Sequence, residues 1–280
     1  LSGTMAPASA CHAVVTKSPL TGFLSSSVSS GLWSLALKRT GFDALVITGA
    51  ASSPVYLFID DGQVHFRKAD HLTGKSCPQT EAAIRREAGD RRVQLASIGP
   101  AGESLVRFAT IKDGNRLPHR GGAGAVMGSK KLKAIAIRGT RPISVPDISA
   151  MQKGCADLNT RLHQSAISTS DKLAPAACLL SGSGQCSLPA RNFQQSISDG
   201  AGSLAAECAK KEHLITAIAC PTCPVACQHV YRVTEDPHSD EQVVLEKEAL
   251  AALGPLCGMF HLPVILKAIE LCQFYGLDQI

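Results

Sequence analysis

Three cysteines lie within one eight-residue segment, Cys220-Pro-Thr-Cys223-Pro-Val-Ala-Cys227. Separations of two and then three residues allow one loop to turn three thiolates toward a single ion or cluster. A structural zinc site needs four nitrogen or sulfur ligands, and neither a His pair nor a second CxxC follows at finger spacing. The motif therefore favours a 4Fe–4S cluster whose fourth thiolate comes from elsewhere.

The same cysteines allow other interpretations. Free cysteine is among the most buried residue types, so the three thiols could be core residues or form a local CxxC disulfide. Cys257 and Cys272 lie in or near expected helices, where burial is the usual role. Either one could also serve as a fourth cluster ligand within this chain.

A glycine-rich basic segment, residues 120–133, is the second chemical feature. It holds four glycines within nine residues, which permits main-chain N–H groups to approach a ligand closely. Positive charge comes from Arg116, Arg120, Lys130 and Lys131. We infer an anionic, phosphate-bearing ligand, although the segment follows neither the Walker nor the Rossmann pattern. A glycine-rich turn between strands, with solvated basic residues, is the alternative.

Composition excludes several classes of protein. With 280 residues and 45% hydrophobic content, the chain can build two domains. The net charge of +5 without long basic runs indicates no nucleic-acid partner. Eleven cysteines without framework spacing suit a reducing, cytoplasmic setting. No apolar run is long enough for a bilayer and the N-terminus carries no signal pattern, so neither membrane insertion nor export is expected.

The first half of the sequence consists of short apolar runs separated by turn-forming residues, which is typical of β-strands. Strands are expected at residues 44–48, 55–59, 64–67 and 133–137. Asp61-Gly62 supplies the positive φ that a tight hairpin between the second and third strands requires. One helix, at residues 80–88, interrupts them.

The second half is expected to be helical, because two of its segments are long enough for helices and a third carries apolar positions at helical spacing. Helices are expected at residues 148–164, 244–253 and 263–275, and residues 165–188 are interpreted as a loop. The prediction is an α+β fold with two domains. Residues 1–144 form a mixed β-sheet domain, and residues 145–280 form a mainly α-helical domain that carries the cysteine loop.

Several motifs resemble those of the tungsten-containing aldehyde ferredoxin oxidoreductase family, in the same order. Those in the first half are Gly3-Thr4, Ala6-Pro7, residues 16–22, Leu37-Lys38, residues 41–44, residues 54–56, residues 98–103 and Leu105-Val106. The glycine-rich segment through Gly139-Thr140 is the most specific block. Those in the second half are Leu188-Pro189, residues 191–193, the cysteine motif, Glu248, Leu253-Gly254 and residues 276–278.

The resemblance implies a bis-pyranopterin cofactor that carries tungsten or molybdenum, beside a 4Fe–4S cluster. It implies oxidation of a small aldehyde to its carboxylic acid, with ferredoxin as the electron acceptor. It also implies that the N-terminal β-rich domain cradles the pterins, and it allows a homo-oligomer.

Roles for individual residues follow from the same resemblance. The implied cofactor contacts are Arg116, Leu117, His119, Arg120 and Asp278. The implied cluster ligands are Cys220, Cys223 and Cys227. Glu248 corresponds to an acid near the metal and is the candidate catalytic residue.

Five positions depart from the family pattern. Cys11 stands where the family commonly has an arginine, Val28 and Ser30 replace an asparagine and a glycine, His119 replaces a glycine, and Gln273 replaces the first residue of the aspartate motif. Each lost hydrogen bond to an anionic ligand costs about 1–3 kcal/mol. The departures are therefore expected to lower the affinity for the cofactor.

Three hypotheses remain. The favoured one is part of a tungstopterin oxidoreductase whose fourth cluster cysteine and second pterin motif lie beyond residue 280, so this chain alone is expected to be inactive. The second is a catalytically degenerate electron-transfer or cofactor-binding protein of the same fold. The third is a structural zinc domain built on the same cysteines.

Overall fold

The computed structural model describes residues 1–114, 117, 120–164, 189–196, 200–210, 213–233 and 242–280. Arg116, His119 and the loop predicted at residues 165–188 lie outside the described residues. The chain divides into two compact units. The first comprises Leu1–Gln152 with Cys272–Asp278, and the second comprises Lys153–Leu271 with Gln279–Ile280.

A five-stranded mixed sheet forms the centre of the first unit. Its strands are β3 (Val55–Asp60), β4 (Gln63–Lys68), β5 (Gln94–Ser97), β6 (Lys112–Asp113) and β7 (Leu132–Arg138). The spatial order is β4-β3-β7-β5-β6. Strands β3 and β7 run parallel, and every other pairing is antiparallel. The mixed sheet predicted from the sequence is therefore confirmed.

Helices cover both faces of this sheet. They are α1 (Leu32–Arg39), α2 (Cys77–Ala88), α3 (Pro100–Glu103) and α4 (Ala123–Ser129). Leu57 and Ile59 of β3 join the core that includes residues of α1 and α4, whereas Tyr56 and Phe58 join the core that includes Ile84 of α2. Successive side chains of a strand point to opposite faces, so residues 55–59 of β3 carry no charge because both faces of the strand are buried.

The β3–β4 hairpin confirms the expected turn. Asp60 pairs with Gln63, which leaves Asp61 and Gly62 as a two-residue loop. Their φ angles are 45° and 93°, and positive φ at both central residues defines the type I′ turn that matches strand twist.

A separate two-stranded hairpin precedes α1. Strands β1 (Cys11–Lys17) and β2 (Leu24–Ser30) pair antiparallel, from Cys11 opposite Ser30 to Lys17 opposite Leu24. The outward face of the hairpin carries residues such as Val15 and Val28, and the other face of β2 carries three alternating serines at positions 25, 27 and 29.

Two predictions for the first unit differ from the structure. Helix α2 begins at Cys77, not at residue 80, because Ser76 and Gln79 form a capping box ahead of the apolar positions. Residues 44–48 form no strand, although their composition favours one. Strand formation requires a hydrogen-bonded neighbour, which this segment does not have among the described residues.

The second unit combines helices with a sheet. The helices are Ile148–Gln164, of which the first five residues belong to the first unit, Ala201–Cys208, Lys247–Leu253 and Leu262–Tyr275, of which the last four residues belong to the first unit. Strands β8 (Leu214–Ile218), β9 (Gln228–Arg232) and β10 (Gln242–Leu245) form an antiparallel sheet in the order β10-β9-β8. The core joins Tyr231 and Leu245 to Leu250 and Ile265.

The sequence predicted two of these helices well and one poorly. The helix expected at residues 148–164 and that at 263–275 match the observed bounds within one residue. The helix expected at 244–253 is wrong in its first turn, because Val244 and Leu245 end β10 and the helix starts at Lys247. The three-stranded sheet was not predicted.

Across the described ranges, no single helix is long and apolar enough to cross a membrane. One bent pair of helical segments, Lys247–Cys257 and Leu262–Tyr275, reaches the length and apolar composition of a membrane span only when the two segments are taken together.

Candidate cofactor site

Arg120 and Asp278 meet in the first unit, although they lie far apart in sequence. Arg120 Nε is 3.8 Å from Asp278 Oδ1, and the side chains are 51% and 12% exposed. The pair therefore offers an accessible guanidinium beside a largely buried carboxylate. The family resemblance implies that both residues contact the cofactor, and the structure brings them together.

Asp278 is fixed by main-chain contacts that follow the helix Leu262–Tyr275. The helix stops at Gly276, which has φ +74°. Leu277 then forms an isolated antiparallel bridge with Ala109, and the Asp278 N–H donates to the Phe108 carbonyl at 3.1 Å. A left-handed glycine at the end of a helix is the usual way to turn the chain sharply. The turn delivers Asp278 to its position beside Arg120.

Strand β2 holds the main chain of Arg120. The Arg120 N–H donates to Ser27 Oγ at 3.2 Å, and Ser25 Oγ donates to the Arg120 carbonyl at 3.4 Å. Sequence reasoning missed these two serines. The alternation of serines in the β2 segment was the available signal, because a period of two places Ser25 and Ser27 on one face.

The four glycines of the glycine-rich segment are explained by packing within the protein. A Cβ on Gly121 would lie 2.0 Å from Ser25 Oγ. On Gly122, Gly124 and Gly128 it would lie 2.2 Å, 2.4 Å and 1.9 Å from the carbonyl oxygens of Arg107, Thr110 and Gly102, respectively. Because real Cβ atoms never approach so closely, close contact between chain segments accounts for these glycines without any ligand. The expectation that they expose the backbone to an anion has no support in this geometry.

Leu117 is buried and its carbonyl accepts a hydrogen bond from Thr110 Oγ1 at 3.5 Å. Arg116 and His119, on either side, lie outside the described residues.

Three of the five departures from the family pattern share the outward face of the β1–β2 hairpin. Cys11 and Ser30 are cross-strand partners, with Sγ and Oγ 3.1 Å apart. Val28 is 62% exposed on the same face. None of these three side chains carries a positive charge, so these positions offer no partner for a phosphate-bearing group, although Lys17 lies on the same face at the other end of β1. Arg120 and Asp278 do fit such a cofactor, because a guanidinium binds anionic oxygens and a carboxylate accepts N–H groups.

The cysteine motif occupies the loop between β8 and β9 in the second unit. The Cys223 N–H donates to the Cys220 carbonyl at 3.0 Å, and Thr222 within this turn has φ +60°. Cys220 and Cys223 are half-buried, Cys227 is exposed, and none forms a disulfide. The structure therefore shows no local disulfide among these three cysteines. In the described part of the chain, no three His, Cys, Asp or Glu side chains are grouped closely enough to hold one metal ion.

A cluster of four irons is larger than a single ion, so its thiolates stand further apart than zinc ligands do. The lack of such a group of closely spaced ligands in the described part of the chain therefore argues against one zinc ion held by these three thiols. Glu248, the candidate catalytic residue, is exposed in the first turn of the helix Lys247–Leu253.

Comparison with known proteins covers nearly the whole chain. The family described as "Aldehyde ferredoxin oxidoreductase, N-terminal domain" matches residues 1–139, and that described as "Aldehyde ferredoxin oxidoreductase, domains 2 & 3" matches residues 157–280. The tungsten-containing aldehyde ferredoxin oxidoreductase of Pyrococcus furiosus is 38% identical over 283 residues, covering 100% of this chain and 46% of that protein. The chain thus spans about half the length of the relatives it matches.

Two further proteins widen the comparison. The aliphatic sulfonate oxidoreductase WOR-like subunit of Pyrococcus furiosus is 29% identical over 285 residues, covering 95% of this chain and 45% of that subunit. A solved structure of the active site complex BamBC of benzoyl coenzyme A reductase with 1,5-dienoyl-CoA is 25% identical. It superposes with a TM-score of 0.79 and covers 100% of this chain and 44% of that chain. The chain belongs to the aldehyde ferredoxin oxidoreductase family.

Proposed function

We propose that this chain is part of an oxidoreductase that converts an aldehyde to a carboxylic acid at a bis-pterin tungsten or molybdenum centre. Electrons would leave through a 4Fe–4S cluster to ferredoxin in the cytoplasm. The observation that carries the proposal is the meeting of Arg120 with Asp278, because two residues from distant family motifs converge on one accessible site. Overall, an aldehyde and water yield the acid, two electrons and two protons.

The chain's own residues have separable roles in this proposal. The Arg120 guanidinium binds anionic oxygens of the cofactor, and the Asp278 carboxylate accepts its N–H groups. Ser25 and Ser27 fix the Arg120 main chain, which restricts the positions that its guanidinium can reach. Glu248 is the candidate to accept a proton released when water adds to the aldehyde. When bound, the metal centre supplies the two-electron redox chemistry.

Analysis of the cysteine loop tests the cluster. After anaerobic reconstitution with iron and sulfide, we expect Cys223→Ala to lose most bound iron and the brown colour. The loop supplies three of the four ligands that a cluster needs, and the variant would supply only two. Cys155→Ala, in the helix Ile148–Gln164, is the control and should retain iron. Iron content unchanged in Cys223→Ala, or zinc bound without iron in the parent chain, rejects the cluster.

A catalytically degenerate protein that keeps the cluster is the second candidate. The uncharged Cys11, Val28 and Ser30 on one face of the hairpin favour it. Tungsten and molybdenum analysis separates the two: metal retained through gel filtration, and reduced retention in Arg120→Gln, supports the oxidoreductase. Iron and sulfide without either metal supports the degenerate protein.

A further inference from the structure

Residues 44–48, here called the acceptor segment, have the composition of a strand but no strand neighbour among the residues that the structure describes. The segment reads Ala-Leu-Val-Ile-Thr, and Val46 is 88% exposed. Within the described ranges, none of its main-chain N–H or C=O groups has a hydrogen-bond partner. β-Branched residues with an unpaired backbone form a ready template for another strand.

The acceptor segment is anchored on both sides. Phe42, ahead of the segment, packs against the core of the first unit, as does Leu45 within it. Beyond the segment, Lys130 Nζ donates to the Gly49 carbonyl at 2.9 Å, and the Ala51 N–H donates to the Lys130 carbonyl at 3.1 Å. Because both flanks are tied to the same unit, a partner strand would meet a backbone that is already positioned.

Both edges of the five-stranded sheet are protected, and the acceptor segment is not. Strand β4, at one edge of the five-stranded sheet, carries His65, Arg67 and Lys68. Strand β6, at the other edge, has only two residues. Charge and shortness are the usual protections against pairing with further strands. No charged residue occurs between Ala44 and Ile59.

We propose that the acceptor segment pairs with one extended, apolar, uncharged strand of the same polypeptide, drawn from the sequence that this chain does not span. The matched relatives are more than twice as long, since the chain covers 46% of their length. A strand in the same polypeptide also avoids the entropy cost of association. Pairing with a second copy over five residues would bury well under the roughly 1,200 Å² of a stable interface.

Hydrogen–deuterium exchange of the 280-residue chain tests whether the segment accepts a strand. The probe is the peptide acetyl-Thr-Val-Thr-Val-Thr-Val-amide, and the same peptide with proline at its third position is the control, because proline cannot donate to a ladder. We expect the first peptide to slow exchange at residues 44–48 by about tenfold and the second to have a much smaller effect. Absence of slowing with the first peptide overturns the proposal.

Proline substitutions test whether the slowing of exchange arises from pairing at the acceptor segment. The N–H groups of neighbouring strand residues point to opposite edges, so either Val46→Pro or Ile47→Pro should abolish the slowing. Ala50→Pro, just outside the segment, should retain it. Trp33, the single tryptophan and buried in the same core, reports by fluorescence that each variant is folded. Slowing that survives both Val46→Pro and Ile47→Pro contradicts the assignment.

Two measurements identify the source of the strand. In the full-length Pyrococcus furiosus relative, the amides that align with residues 44–48 should exchange slowly without any peptide, and rapid exchange there rules out a strand from the same polypeptide. In the 280-residue chain, exchange at this segment should not depend on protein concentration. Slowing at high concentration, with a dimer in sedimentation, assigns the segment to a second copy and overturns the proposal.

Discussion

Arg120 Nε lies 3.8 Å from Asp278 Oδ1, and each residue is held there by main-chain contacts to a different part of the first unit. Strand β2 fixes Arg120 through Ser25 and Ser27, and the bridge between Ala109 and Leu277 fixes Asp278. Because the guanidinium is half exposed, the ion pair contributes at most about 1 kcal/mol to stability. The pair therefore adds little to stability, and its main effect is to hold the accessible Arg120 guanidinium beside the Asp278 carboxylate.

Gly121→Ala should destabilise the first unit by about 1–3 kcal/mol. Gly121 has φ +82°, and its new Cβ would lie 2.0 Å from Ser25 Oγ. Gly74→Ala is the matched control, because Gly74 has φ +76° with no atom within 4 Å of its Cβ position. Urea unfolding followed by Trp33 fluorescence measures both. Equal losses in the two variants would show that contact with Ser25 is unimportant.

Ser25→Ala should partly rescue Gly121→Ala, since it removes the nearer of the two contacting atoms. Ser25 Cβ would remain 2.8 Å away, so the rescue is incomplete. A double-mutant cycle isolates the interaction, and an interaction energy near zero would contradict the close contact.

The stability of the first unit should fall as pH is lowered from 6.5 to 4. Burial lowers the pKa of His12 from 6.5 to about 4, and the ring lies 4.7 Å from that of Trp33. Between these pH values the unfolded chain binds a proton and the folded chain does not, so stability is lost as pH falls through this window, by up to roughly 3 kcal/mol. Urea titrations across the window measure the slope. His12→Gln, which cannot titrate, should flatten it, and an unchanged slope in that variant would assign the pH dependence to other groups.

Glu103→Gln should destabilise the first unit by about 3 kcal/mol. Lys133 is only 3% exposed, pairs with Glu103 and donates to the Lys75 carbonyl at 2.8 Å. Removing one partner of a buried pair leaves a charge without compensation. Asp43→Asn, which breaks the exposed pair with Lys38, is the control and should cost under about 0.5 kcal/mol. Similar losses in both variants would contradict this account.

The sequence predicted elements whose signal is local. Asp61-Gly62 identified the type I′ hairpin because the turn needs positive φ at two successive residues. The helix at 263–275 followed from apolar positions at helical spacing, and the helix at 148–164 followed from the length of its segment. The start of α2 was missed although Ser76 and Gln79 form a local capping box, since the prediction relied on apolar spacing alone.

The sequence could not predict features that depend on distant neighbours. Residues 44–48 resemble a strand, but strand formation depends on a partner that the sequence pattern does not reveal. The glycines at 121, 122, 124 and 128 suggested a ligand, whereas each is explained by a contact from another part of the first unit. Convergence of Arg120 with Asp278 was implied only by the family resemblance.

Asp278→Asn should lower the pKa of the Cys272 thiol. Burial raises this pKa above its usual value, and the negative charge of Asp278 raises it further. Removing the charge leaves the burial, so the pKa should fall but stay above that of an exposed thiol, and the thiolate fraction at a given pH should rise. The rate of iodoacetamide alkylation of the Cys272 peptide, followed by mass spectrometry from pH 7 to pH 10, measures the shift. Glu270→Gln, on the same helix, removes a carboxylate that pairs with Lys267 and should leave the profile unchanged. An unaltered profile in Asp278→Asn, or an equal shift in Glu270→Gln, would show that Cys272 does not sense the charge beside Arg120.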